Sequence, residues 1–169
     1  NAFGADVNPG PRETRRSLLR EIYTGQLGVR ERSGKNDGPA VERYLRYVCL
    51  EKGNPWCAAF VCWVLGEAGI ANPRSGWSPH LFPSSKVIWQ RGRVVQALPR
   101  PGDVFGIWFA GKQRIAHVGF VDSWDGKWMI SVEGNTNEAG SAEGDGVYRR
   151  RRLIAGIYKV ADFAGKEGI

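Results

Sequence analysis

The sequence predicts an α+β fold in which N-terminal helices pack on a C-terminal antiparallel sheet. Three observations carry the prediction. Val41, Tyr44, Leu45, Val48 and Cys49 recur at spacings of three, four, seven and eight residues, the stripe of an amphipathic helix. The run Phe60-Val61-Cys62-Trp63-Val64-Leu65 is apolar on every side, as a central buried helix must be. From Val94 onward the pattern changes to short β-branched and aromatic runs separated by turn residues. Helices followed by a strand meander give a sheet packed on helices rather than a wound parallel sheet.

Taken in order, Arg12 to Gln26 carries Leu18, Leu19 and Ile22 on one side, and Gly25 and Gly28 stop it. The second helix follows Asp37-Gly38-Pro39. The third is expected from Pro55 to about Glu67, with Asn54 as its cap and Pro55 at its first position. Gly69 to Ser85 is rich in Pro, Gly and Ser and reads as a long irregular connection, followed by a short helix around Lys86 to Gln90. Strands are expected at Val94-Val95, Val104 to Phe109, Ile115 to Asp122, Trp128 to Glu133, Gly146 to Arg151 and Ile154 to Val160. With 169 residues the chain is long enough for one domain with a substantial core, so a single domain spanning 1–169 is expected. Its core covers about 35–160, with a helical extension over 1–34.

The net charge of +7 favours an anionic partner such as nucleic acid, anionic lipid or an acidic wall polymer. Basic and aromatic residues do not interleave in any nucleic-acid-binding motif, so no nucleic acid is expected. The densest cationic block, Arg149-Arg150-Arg151-Arg152, runs on into Leu153 and Ile154 and reads as a solvated strand face. No apolar stretch approaches the ~20 residues of a membrane span, and no signal peptide is visible. Cys49, Cys57 and Cys62 lack metal-knuckle spacing, so neither metal nor cofactor is expected. Cys49 and Cys62 lie on apolar helical positions and are expected to be inert and buried.

Cys57 differs, because it falls about three residues into the third helix, among unpaired N–H groups at the positive dipole end. A thiol there ionises more readily, and the thiolate is the nucleophile. Two histidines could serve it as base. His117 lies on a strand, whereas His80 sits in a Ser-Pro loop with no rigid support, so His117 is preferred. Glu133 and Asn135 on the next strand share a face and are the candidates to orient the imidazole. A two-residue Asp125-Gly126 turn would set His117 opposite Gly134. A three-residue Trp124-Asp125-Gly126 loop with Gly126 left-handed would set it opposite Glu133, and a carboxylate inside a strand needs such a partner. Trp56, Trp77 and Phe82 are expected to wall a groove, with core as the alternative for Trp56. Asn36 or Asn54 is a candidate second oxyanion donor beside the Cys57 N–H.

These residues resemble the CHAP family, the cysteine, histidine-dependent amidohydrolases and peptidases with a papain-like core. The matching segments are Gly53-Asn54-Pro55-Trp56-Cys57-Ala58-Ala59-Phe60-Val61, Pro101-Gly102-Asp103-Val104, Ile115-Ala116-His117-Val118-Gly119-Phe120-Val121 and Val132-Glu133-Gly134-Asn135-Thr136, in the family's order. The resemblance implies peptidoglycan cleavage, as an N-acetylmuramoyl-L-alanine amidase or an endopeptidase, with Cys57 as nucleophile, His117 as base and Glu133 or Asn135 as orienter. It also implies a secreted or cell-envelope setting and peptidoglycan as partner, with an immunity or targeting protein unidentified; a monomer is expected. An inactive wall-binding module and an amidase for a small thiol-polyamine amide are the alternatives.

Overall fold

The computed structural model describes residues 11–136 and 144–165; the first ten residues of the expected N-terminal extension lie outside them. Helices α1 (Pro11–Gly25), α2 (Pro39–Tyr47) and α3 (Cys57–Glu67) precede strands β1 (Val87–Gln90), β2 (Arg93–Val94), β3 (Val104–Phe109), β4 (Arg114–Trp124), β5 (Trp128–Thr136), β6 (Gly146–Leu153) and β7 (Lys159–Ala161). The strands form one sheet in the order β2-β1-β7-β3-β4-β5-β6, with antiparallel pairs throughout the described residues. The α+β class read from the sequence is the one observed.

Pro39 starts α2, and the Glu42 carboxylate reaches back to accept from the Gly38 N–H at 2.8 Å, satisfying one open donor of the first turn. The stripe Val41, Tyr44 and Leu45 is buried. The helix stops at Tyr47, so Cys49 is not on it: this residue has φ 61° and is exposed, contrary to the expectation of a buried thiol. Cys62 is buried as expected, and burial pushes its thiol up to about 11. In α3 the residues Cys57 through Leu65 are all buried. Tyr44 meets Phe60 at 5.2 Å between ring centroids, and Phe60 meets Phe120 of β4 at 6.1 Å, which locks α3 between α2 and the sheet.

The Pro101-Gly102-Asp103 turn ties α1 to this body. Arg16, 4% exposed, meets Asp103 at 2.8 Å and Asp162 at 3.0 Å, and its guanidinium also donates to the Pro101 carbonyl at 3.0 Å.

Two elements differ from the sequence reading. Residues Val87–Gln90 are strand, not helix: three consecutive buried β-branched or aromatic side chains pair with β2 on one side and β7 on the other. The strand expected over 154–160 is divided. Ile154–Gly156 forms a 3-10 turn, after which β7 crosses back to pair between β1 and β3. The irregular 69–85 connection contains one 3-10 turn, Ser78–Leu81.

Candidate active site

The thiol sits earlier in its helix than the sequence suggests. Cys57 is the first residue of α3 and Trp56 the cap residue, with no side-chain capping bond. Asn54 does not cap; its amide donates to the Glu51 carbonyl at 2.8 Å. Because the first N–H groups of a helix have no partner within it, the Cys57 N–H is among the open donors next to its own sulfur.

His117 on β4 is 1% exposed and Glu133 on β5 is fully buried. The imidazole Nε2 lies 2.6 Å from Glu133 Oε1, close enough to donate to it. The Glu133 carboxylate also accepts from Ser131 Oγ at 2.5 Å and from both Arg152 Nε at 2.6 Å and Arg152 Nη2 at 2.7 Å. This is a two-pronged clamp from edge strand β6. The other ring nitrogen, Nδ1, is buried and makes no hydrogen bond, so it is the ring atom left for the thiol. Ser78 Oγ lies 3.7 Å from Cys57 Sγ.

No hydrogen bond joins sulfur and imidazole, yet each shifts the other's hold on its proton. Burial pushes the Cys57 thiol up, but His117, the Ser78 hydroxyl and the Val118 backbone outweigh it and leave the thiol below its ordinary value. Burial pulls His117 down, and Cys57 and Glu133 more than reverse this, raising the imidazole to about 9. Burial opposes ionisation of Glu133, yet Arg152 and His117 hold its carboxyl at about 2. All three directions favour a thiolate, an imidazolium and a carboxylate side by side.

The strand register that creates this contact is neither of the two expected. Phe120 pairs with Val132 and Val121 with Ser131, and after a bulge Ser123 pairs with Ile130 and Trp124 with Met129. Gly126 is left-handed (φ 97°) as expected, but the turn falls on Gly126-Lys127, where the Asp125 N–H donates to the Trp128 carbonyl at 3.1 Å, and the extra residue of the bulge in β4 then shifts the register back by one. Continued toward the site, the register sets Gly119, not His117, opposite Glu133. His117 and Glu133 therefore meet diagonally across Gly119, where a Cβ would lie 2.8 Å from Glu133 Cγ. The missing side chain leaves the path open.

Asn135, the other orienting candidate, places its hydrogen bonds elsewhere. With its amide turned so that nitrogen meets carbonyl, it donates to Gly144 O at 3.0 Å and accepts from the Trp56 N–H at 3.3 Å. Its contacts brace the start of α3. His80 is exposed, and its ring Nδ1 lies 2.7 Å from Ser75 Oγ.

A groove of about 230 Å³ opens at Cys57, lined by Asn54, Trp77, Ser78, Lys112 and Arg114 among others. Trp77, 47% exposed, lies on it. Trp56 does not: it is fully buried, donating to Glu31 Oε1 at 2.8 Å, so the core alternative is the correct one. Phe82 is buried too. Asn36 is outside the groove lining and donates to the Gly53 carbonyl at 3.3 Å, supporting the loop before α3.

Sequence reasoning missed Ser131, Arg152, Ser78 and Gly119. Ser131 carried a signal, lying two residues from Glu133 on the same strand face. Arg152 was hidden in a block read as solvated, and only the β5–β6 pairing reveals its reach. Among the described residues no cluster of three His, Cys, Asp or Glu could hold a metal ion, and no helix is long and apolar enough to cross a membrane.

Among curated proteins no relative matches. Two solved structures are similar. The resuscitation promoting factor interacting protein RipA mutated at E444 has 17% identity and a TM-score of 0.47 over 96% of this chain and 69% of that one. Ly7917 has 15% identity and a TM-score of 0.48 over 89% of this chain and 63% of that one. The model of the CHAP domain matches residues 50–135, half of the sequence, a span that holds the thiol, the imidazole and both orienting candidates. The chain belongs to the CHAP domain family.

Proposed function

We propose that this protein is a cysteine-dependent peptidoglycan hydrolase that cuts an amide bond, as an N-acetylmuramoyl-L-alanine amidase or an endopeptidase. Membership of the CHAP family, which comprises cysteine, histidine-dependent amidohydrolases and peptidases, supports the hydrolase class. The observation that carries the reading is the buried His117–Glu133 contact of 2.6 Å, beside a thiol at the start of a helix.

In the resting state the Cys57 proton resides on His117, giving a thiolate and an imidazolium. The sulfur attacks the carbonyl carbon, and the oxygen gains the negative charge, met by the Cys57 N–H at the helix start. Ser78, whose hydroxyl lies 3.7 Å from the sulfur, is a candidate second donor, in place of Asn36 and Asn54, whose amides are turned to backbone carbonyls. Collapse of the intermediate breaks the C–N bond, and the imidazolium gives its proton to the leaving amine. Neutral His117 then takes a proton from water as the water oxygen attacks the thioester, and breaking of the C–S bond releases the acid and restores the thiolate–imidazolium pair. Glu133 holds the ring orientation throughout and stays ionised because Arg152 faces it.

Peptidoglycan as substrate implies action at the cell envelope. The test is release of new amino groups from purified peptidoglycan by wild type, Cys57→Ala and His117→Ala. Wild type is expected to release them and both variants to fall to background, while mass spectrometry of the fragments identifies the bond cut. Equal release by Cys57→Ala rejects the catalytic reading.

A further inference from the structure

We propose that Lys112 and Arg114 form a carboxylate-binding subsite next to Cys57, so that this enzyme selects substrates bearing a free acid within about one residue of the scissile amide. The inference rests on the hydrolase reading above and adds a chemical class of substrate to it.

The groove at Cys57 contains both cations and no acidic residue; the rest of its lining, such as Leu50, Pro55 and Ala116, is apolar or neutral. The contrast with the four ion-paired arginines is informative. Arg16, Arg20, Arg149 and Arg152 each meet an Asp or Glu, whereas among the described residues neither Lys112 nor Arg114 meets a carboxylate. Arg114 is nevertheless held in place. Its guanidinium lies 4.0 Å over the exposed Trp77 ring, and one N–H donates to the Ile115 carbonyl at 3.0 Å. A guanidinium stacked on an indole keeps an edge with free N–H donors, and such a fork matches a carboxylate. Lys112, exposed in the turn between β3 and β4 with its ammonium 5.8 Å from the Phe109 ring centroid, adds a second positive charge to the lining. At about 230 Å³ the groove is below the ~300–1,000 Å³ of a pocket for a drug-sized ligand. It fits one or two residues of a substrate, which brings any acid it accepts close to the thiol.

Peptidoglycan stem peptides can carry their side carboxyls free or amidated, which gives a matched pair of probes. Disaccharide-tetrapeptide fragments with free acids and with the same acids amidated are compared by kcat/KM for wild type, Lys112→Gln, Arg114→Gln, the double variant and Arg114→Lys. Wild type is expected to favour the free acid about tenfold at low salt, with the preference shrinking as salt is added. The double variant is expected to bring the ratio within about twofold of unity, and Arg114→Lys to keep part of it. Equal ratios in wild type and double variant, or a wild-type preference for the amidated form, overturn the subsite. If wild type cleaves neither fragment the hydrolase reading fails, and calorimetric titration of both fragments into Cys57→Ala then decides the subsite alone. Tighter binding of the free acid that is lost when Lys112→Gln and Arg114→Gln are added supports it, and equal or undetectable binding of the two forms rejects it. Circular dichroism of each variant separates loss of selectivity from loss of fold.

Discussion

Gly119→Ala is the most revealing single change, because it adds one methyl group to the gap through which Glu133 reaches His117. The added Cβ would lie 2.8 Å from Glu133 Cγ and 2.8 Å from a Phe105 ring carbon, and neither neighbour is a loose end. Phe105 is fully buried, and Glu133 is gripped by His117, Ser131 and Arg152. Carbon atoms settle at about 3.5 Å or more, so one or both must retreat by about 0.7 Å. Overpacking of this kind costs about 1–3 kcal/mol, partly offset by the ~0.4–1 kcal/mol that alanine gains over glycine through the unfolded chain. The net loss of about 1–2 kcal/mol lowers Tm by roughly 2–8 °C for a chain of this size. The effect on catalysis is larger than the effect on stability, since a displacement near 1 Å at a catalytic contact costs about 10²-fold. Differential scanning calorimetry and kcat/KM on muropeptides read the two quantities. A Gly119→Ala protein with unchanged Tm and unchanged kcat/KM would show that Glu133 does not need the diagonal path and that the contact does not orient the base.

The remaining expectations concern charge. His117 is raised from 6.5 to about 9 in the folded protein, so its stabilising contribution is complete below pH 6.5 and is lost as pH rises through about 9. Glu133 is lowered from 4.5 to about 2, so its contribution is complete above pH 4.5 and is lost as pH falls toward about 2. For activity, kcat/KM should fall on an alkaline limb near pH 9 as the imidazolium is lost, with an acid limb below the ordinary thiol value of 9.0; a rate still climbing above pH 10 contradicts the ion pair. Glu133→Gln should lower kcat by about 10²-fold and move the alkaline limb to lower pH. Arg152→Gln should do both more weakly, because Ser131 and His117 still hold the carboxylate, and an unmoved limb in Glu133→Gln removes its assigned role. Arg16→Ala leaves Asp103 and Asp162 buried without their cation, which should cost about 3–5 kcal/mol in urea denaturation; a loss under 1 kcal/mol would mean that α1 docks by apolar packing alone.

What the sequence made legible was periodicity. A stripe at helical spacing found α2, an all-apolar run found α3, and alternating runs between turns found β3 to β6. Elements that depend on distant partners were not legible. Val87-Ile88-Trp89 has no period long enough to separate strand from helix, and it becomes a strand because β2 and β7 supply hydrogen bonds on both sides. The β4 bulge is of the same kind. No local residue announces it, yet it decides which residue faces Glu133. Cys57 and His117 stood out because a helix start and a strand interior are unusual places for a thiol and an imidazole. Trp56 looked like a groove wall only because burial depends on α2, whose Tyr44 stacks on it with 5.7 Å between centroids.

Arg152 illustrates why a charge block is the hardest feature to interpret from sequence. A buried carboxylate beside an imidazole carries a desolvation cost of several kcal/mol unless more than one donor compensates it. Arg152 and His117 together hold Glu133 ionised against its burial. The second cation lies on the far side of the carboxylate and comes from the neighbouring edge strand. There the β5–β6 register sets Arg152 opposite Met129, on the face shared by Ser131 and Glu133. The proposed resting site thus alternates in sign, from thiolate to imidazolium to carboxylate to guanidinium, so that each charge is flanked by its opposite. Within the same four-arginine run Arg149 meets Asp122 instead, at the bulge. One strand thereby pins both the acid of the site and the irregularity that aligns it, and its charge reads as a solvated surface only while the register is unknown.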